Sequence, residues 1–199
     1  MEKPNAPSCE KNREPILEVL RQHFGDRHHV LEIGSGTGQH AVRFAAEMPY
    51  LTWHTSDVAA HHEGIRAWID EAGLPNVEPP QTLDVTQRAW PAVAVDAVFS
   101  ANTAHIMHWP MVEAMFAGVG RLLGVGGLFA LYGPFHYNGQ PSAPSNARFD
   151  GWLRTRDPGM GVRDFEAVDT LAGAQGLTLF EDYEMPADNR TLVWRREPA

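Results

Sequence analysis

Val30-Leu31-Glu32-Ile33-Gly34-Ser35-Gly36-Thr37-Gly38 decides the fold of this chain. An apolar run ending in an acid reads as a buried strand. Three glycines at every second position follow, and Ala41, Phe44, Ala45 and Met48 then recur at the i, i+3, i+4, i+7 spacing of an amphipathic helix. Strand, glycine turn and helix in that order build a shelf of bare backbone. Glycine adopts the angles such a turn demands and carries no Cβ to block an approaching ligand. The spacing argues against one common occupant. A dinucleotide fingerprint reads G-x-G-x-x-G/A, and the sixth position counted from Gly34 is Gln39.

Outward from this unit the alternation repeats. Residues 1–14 read as a polar, extended N-terminal arm. Pro15 then opens a helix on the spacing of Ile16, Leu17, Leu20 and Phe24. Strands are expected near 29–33, 51–56, 81–84, 93–100 and 128–132, and helices near 41–48, 61–72, 111–123 and 164–174. A closing strand pair is expected at 177–183 and 191–195. Residues 133–163 carry many Pro, Gly, Ser and Asn with little periodicity, and are expected to form a long acceptor-side loop ordered by its aromatic rings. The pattern predicts an α/β fold in one domain over 1–199, a doubly wound, mostly parallel sheet with helices on both faces and one antiparallel strand.

Composition narrows the class. The 199 residues hold 16 Lys and Arg against 25 Asp and Glu, a net charge of −9, which argues against a partner bound through phosphates. No run approaches the roughly 20 apolar residues of a membrane span. A single cysteine, Cys9, excludes an internal disulfide, and the N-terminus lacks a secretory apolar core. A cytoplasmic protein that binds neither nucleic acid nor membrane is expected; the oligomeric state is left open.

In open α/β sheets ligands bind beyond the carboxyl ends of the strands. That rule selects Glu32 to Gly38, Asp57, Asp84 with Val85, Asn102 to His108, and Gly133 to Tyr137. Three of the first four strands end in or near a carboxylate, an acceptor suited to hydroxyl, amino and ammonium donors. His105 and His108 are three apart without further spaced ligands, and no metal site is read there.

E-x-G-x-G-x-G, here Glu32 to Gly38, resembles motif I of the Rossmann-like class I S-adenosylmethionine (SAM) methyltransferases. The resemblance implies a seven-stranded sheet and SAM as cofactor. Gly34, Ser35, Gly36, Thr37 and Gly38 would lie beneath its methionine and ribose parts, with Glu32, Val85 and Asn102 beside them. Asp57 would accept from the ribose hydroxyls, and Asp84 from the adenine amino group. The segment after the fourth strand lacks the D/N-P-P-Y/F signature of nucleic-acid amino methylation.

A closer resemblance extends along nearly the whole chain. Glu10-Lys11-Asn12-Arg13-Glu14-Pro15-Ile16-Leu17, Leu31 to His40, Phe99 to Met107, Tyr132-Gly133-Pro134-Phe135, Ser145-Asn146, Phe149-Asp150, Gly161-Val162-Arg163-Asp164 and Met185-Pro186-Ala187 are similar to the family called domain of unknown function 938. This implies a methyltransferase acting on a small-molecule acceptor. Arg13 is expected to face the cofactor carboxylate. His105 is expected as acceptor-side general base or hydrogen bonder, with Tyr132, Phe135, His136 and Arg148 lining the acceptor pocket. A SAM-binding module working through a protein partner is the alternative, and a nucleotide-dependent oxidoreductase, disfavoured by Gln39, is the third reading.

Overall fold

A computed structural model of the chain describes residues 3–198. Among the described residues are nine strands: β1 (His29–Ile33), β2 (Thr52–Asp57), β3 (Val77–Thr82), β4 (Ala97–Ala101), β5 (Leu128–Gly133), β6 (Phe135–His136), β7 (Arg163–Asp164), β8 (Leu177–Met185) and β9 (Asn189–Arg196). Six α-helices accompany them: α1 (Pro7–Phe24), α2 (Gln39–Glu47), α3 (His62–Ala72), α4 (Trp109–Leu122), α5 (Pro144–Arg156) and α6 (Phe165–Ala174). Seven strands form one sheet in the order β3-β2-β1-β4-β5-β9-β8, while β6 and β7 pair with each other. β1 runs parallel to β2 and β4, and β2 to β3; β9 is antiparallel to both β5 and β8. This is the mostly parallel sheet with one reversed strand that the alternation predicts. The chain forms two compact units, residues 1–100 and 101–199.

In the first unit, Phe44, Trp53 and Phe99 meet with ring centroids 5.6–5.9 Å apart, all fully buried. Each such side chain stabilises the fold by about 1.5–3 kcal/mol. α1 buries Ile16, Leu17, Leu20 and Phe24. It begins at Pro7, so the extended arm expected over 1–14 is corrected: of the described residues only 3–6 precede the helix. Pro7 suits a helix start, and Pro15 sits inside the helix without ending it. Side-chain contacts carry the early turns, with the His40 Nε2 and Asn12 Oδ1 atoms 2.7 Å apart. The third strand lies earlier than expected, at 77–82, and contains Pro79 and Pro80. Proline cannot donate to a ladder, and the β2–β3 register shifts there, His54 facing Glu78 but Ser56 facing Gln81. Such a strand is tolerated because β3 is a sheet edge. The fourth strand is shorter than expected, starting at Ala97.

In the second unit, Phe116, Phe129 and Trp194 form the aromatic core, with the Trp194 indole N–H donating to Asp169 at 2.9 Å. The loop expected over 133–163 is also corrected, since it contains β6, α5 and the start of β7. α5 has no apolar face to read: only Asn146 and Leu153 are buried along it. Polar bonds hold it instead. Ser145 donates to the Asp188 carboxylate, Asn146 Nδ2 donates to the Asp188 carbonyl at 2.9 Å, and Asp150 accepts from the Val162 N–H at 2.7 Å. The first two bonds brace the β8–β9 turn, where Ala187 and Asp188 both adopt left-handed φ of 58°.

Candidate functional site

The glycine turn and two strand-end acids converge in the first unit. Gly34, Gly36 and Gly38 have φ of 72°, 59° and 91°, the left-handed region that favours glycine. Gly38 is tightly packed, since a Cβ there would come within 3.1 Å of Ile65 Cα on α3. Gly36 differs: it is exposed, and a Cβ would meet no protein atom within 4 Å. Its N–H donates to Asp57 Oδ2 at 2.8 Å, joining the turn to the end of β2. The other Asp57 oxygen accepts from the Val58 N–H at 2.7 Å and sits 2.9 Å from His61 Nδ1. The Leu83 N–H donates to the Asp57 carbonyl at 3.0 Å, which brings Asp84 to the next position along this edge. Asp84 accepts from the Thr86 N–H and hydroxyl at 2.9 and 2.7 Å, and these bonds hold its carboxyl below the usual range. Val85 is buried. Val58, which the sequence reading passed over, is an apolar side chain left exposed directly after Asp57.

Glu32 lies at the base of the turn and is almost wholly buried. One of its oxygens accepts from the Ser35 hydroxyl at 2.9 Å and the Trp53 indole N–H at 3.1 Å. Burial pushes its carboxyl up from an ordinary 4.5 to about 7, against the pull of those two bonds. On the neighbouring helix, burial pushes His40 down from 6.5 to about 4. These shifts have opposite consequences. Folded Glu32 binds more protons than the unfolded chain between about 4.5 and 7, so its contribution to stability falls as pH rises through that window. Folded His40 binds fewer, so stability is lost as pH falls from 6.5 toward 4. Replacing Glu32 with Gln removes only the first effect. Relative to wild type, Glu32→Gln should gain on the order of 3 kcal/mol between pH 4.5 and pH 8, read from urea unfolding at both pH values. A difference that does not vary with pH would refute the buried proton.

Arg13 lies with Cys9, Arg43 and Trp68 in a cavity of about 300 Å³ formed by α1, α2 and α3, its Nε 3.4 Å from Glu14. Burial, and secondarily the charge of Glu32, raises the Cys9 thiol to about 11, so it stays protonated and unreactive near neutrality.

The remaining residues belong to the second unit. Asn102 adopts a left-handed φ of 57° just past β4, with its N–H donating to the Tyr132 carbonyl at 2.9 Å. Non-glycine residues in that conformation concentrate at functional sites. His105 is buried over Gly133, whose absent Cβ would lie 3.6 Å from the ring Nδ1. Its ring meets the edge of Phe149 at 5.3 Å, and Phe149 stacks on the half-exposed Trp152. Burial, and then the nearby Arg163 charge, lowers His105 to about 4, leaving the imidazole neutral at pH 7. Tyr132 and Phe135 are buried, and His136 is buried with no hydrogen-bond partner for Nδ1. Arg148 is exposed on α5, one residue before Phe149. His108 pairs with Asp157 at 2.8 Å.

The sequence reading also passed over Arg163 as a working residue. Its guanidinium donates to three carbonyls, Ala104 at 3.0 Å, Gly159 at 2.9 Å and Met107, and the Gly161 N–H donates to the His105 carbonyl at 3.0 Å. Together these fix the backbone on both sides of His105. Arginine in a Gly-Val-Arg-Asp run was the one available signal.

Among the described residues no helix is long and apolar enough to cross a membrane. Solved structures share the fold. The chain is similar to an O-methyltransferase family protein from Burkholderia thailandensis at 15% identity and a TM-score of 0.82, over 94% of this chain and 56% of that one. An O-methyltransferase family 2 protein from Planctomyces limnophilus in complex with apigenin matches at 13% and 0.84, over 96% and 58%. PigF with S-adenosylhomocysteine matches at 14% and 0.80, over 94% and 56%. The chain thus spans a little over half the length of these proteins, and at such identities the likeness is one of fold, here the methyltransferase-like fold. Residues 3–196 match the profile described as Protein of unknown function (DUF938), and the chain belongs to that family.

Proposed function

We propose that this chain is a SAM-dependent methyltransferase acting on a small-molecule acceptor. The observation that carries the reading is Gly36, an exposed, left-handed residue whose missing Cβ leaves open space at the end of a parallel strand, tied directly to a carboxylate. A nucleoside fits that cradle. Asp57 has acceptor capacity for a ribose diol beyond its present bonds, Asp84 and Val58 stand ready for an adenine, and Glu32 supplies a buried acid toward a cationic ligand. Among the solved structures of like fold, an O-methyltransferase family 2 protein is in complex with apigenin and PigF is with S-adenosylhomocysteine, which supports the same cofactor and a small acceptor.

When bound, SAM would supply an electrophilic methyl group for the acceptor. The protein's part is alignment and exclusion of water. In this reading Arg13 is the cofactor's neighbour on α1. On the acceptor side, His105, Tyr132, Phe135, His136 and Arg148 contact the substrate. With its pKa near 4, His105 is a weak base, and the stronger role is a neutral hydrogen-bonding group that orients the acceptor. The orphaned His136 Nδ1 is the second polar contact.

S-adenosylhomocysteine should raise the denaturation midpoint of the wild-type protein, and at 100 times its Kd should add about 2.7 kcal/mol. NAD should add nothing. Stabilisation by NAD alone would favour the oxidoreductase. Binding of S-adenosylhomocysteine with no SAM turnover across a metabolite panel would favour a non-catalytic module.

A further inference from the structure

We infer that Gln39 is a positioning residue of the cofactor site, acting through an N-terminal strap, residues 3–6, that it latches to the glycine turn. The inference rests on the cofactor reading above. Gln39 occupies the place where a dinucleotide fingerprint carries its third glycine, and its amide bonds to neighbours through both its oxygen and its nitrogen. Its Oε1 accepts from the Ala6 N–H at 2.7 Å and from the Thr37 hydroxyl at 2.9 Å, and its Nε2 donates to Asn5 Oδ1 at 2.8 Å. One oxygen therefore holds both the strap and the turn.

The strap is seated along α3 as well. The Trp68 indole N–H donates to the Pro4 carbonyl at 2.7 Å, and Lys3 lies 3.6 Å above the Trp68 ring while pairing with Glu71. Gly64 completes the seat. A Cβ there would fall 2.6 Å from Pro4 Cγ. Glycine inside a helix is unfavourable relative to alanine, and the Pro4 ring is what fills the space it leaves. The segment is tied at Gln39, Gly64, Trp68 and Glu71.

Because Thr37 and Ala6 share an acceptor, any ligand that settles the turn also settles the strap. The coupling is reciprocal: strap docking raises cofactor affinity by the factor by which cofactor tightens the strap.

Gly64→Ala tests this without touching the turn. Alanine is the better helix former, so α3 persists, while its methyl evicts Pro4. The readouts are hydrogen exchange at the Ala6 amide and S-adenosylhomocysteine affinity by calorimetry. In the wild type, S-adenosylhomocysteine should slow Ala6 exchange. In Gly64→Ala, exchange should be fast with or without it, and Kd should rise by about fivefold or more while the ligand-free protein still unfolds in one cooperative transition. Fast exchange with an unchanged Kd would overturn the coupling, and wild-type-like exchange in the variant would overturn the seat. A wild-type protein that holds its strap yet binds no S-adenosylhomocysteine would overturn the cofactor reading itself.

Discussion

In Gly36→Leu, S-adenosylhomocysteine should no longer raise the denaturation midpoint, although the protein stays folded. Two effects separate cleanly at this residue. A left-handed φ of 59° strains any L side chain, at about 1–2 kcal/mol. No protein atom lies within 4 Å of the new Cβ, so packing does not suffer. The leucine instead projects into the space assigned to the ligand, and the roughly 2.7 kcal/mol of ligand stabilisation at 100 times Kd disappears. Gly38 makes the contrast. A side chain there strikes the α3 backbone at Ile65, so its substitution should damage the fold itself. Urea unfolding of both variants with and without S-adenosylhomocysteine distinguishes them. Full ligand stabilisation in Gly36→Leu would mean that the ligand lies elsewhere.

Arg163→Met should destabilise the protein by about 1–3 kcal/mol. The substitution keeps much of the apolar stem but strands three part-buried carbonyls, those of Ala104, Met107 and Gly159, each of which loses a charge-assisted bond that water replaces only in part. Arg163→Lys should recover only part of this, because an ammonium is a point donor and cannot reproduce the fork. The loss should be local first. Amide exchange across residues 104–107 should accelerate ahead of the β5–β9 core, and the His105 pKa followed by NMR should climb from about 4 as its surroundings open to water. Uniform exchange and an unmoved His105 would show that the clamp is not what holds this segment.

How much of this was legible in the chain depends on what kind of partner each residue has. The strand, turn and helix around Gly34–Gly38 are written in apolar period and glycine spacing, and Asp57 follows because adjacent parallel strands end at one edge. The sheet with its reversed β9 follows from alternation and a closing hairpin. α5 was not legible, since it buries almost nothing apolar and its anchors, Asp188 and Val162, lie outside the helix and leave no periodic trace along it. The early start of α1 was hidden by polar residues whose contacts on α2 have no periodic trace. Arg163 was hidden because it works on backbone carbonyls, which every residue type presents alike, and Gln39 because its partners Asn5, Ala6 and Thr37 leave no periodic trace.

The borders of the sheet have a consequence for life at high concentration. An edge strand ordinarily offers a row of free donors and acceptors to any passing chain, the first step toward fibrils. On β3, Pro79 and Pro80 delete two successive donors and break the regular spacing. On β8, the exposed Glu181 and Glu184 put carboxylates on the opposite border, while Asp182 is engaged by Tyr137 and Arg190. A foreign strand, or a second copy of this protein, would meet a gap on one side and repulsion on the other, so crowding should not readily convert this sheet into a template.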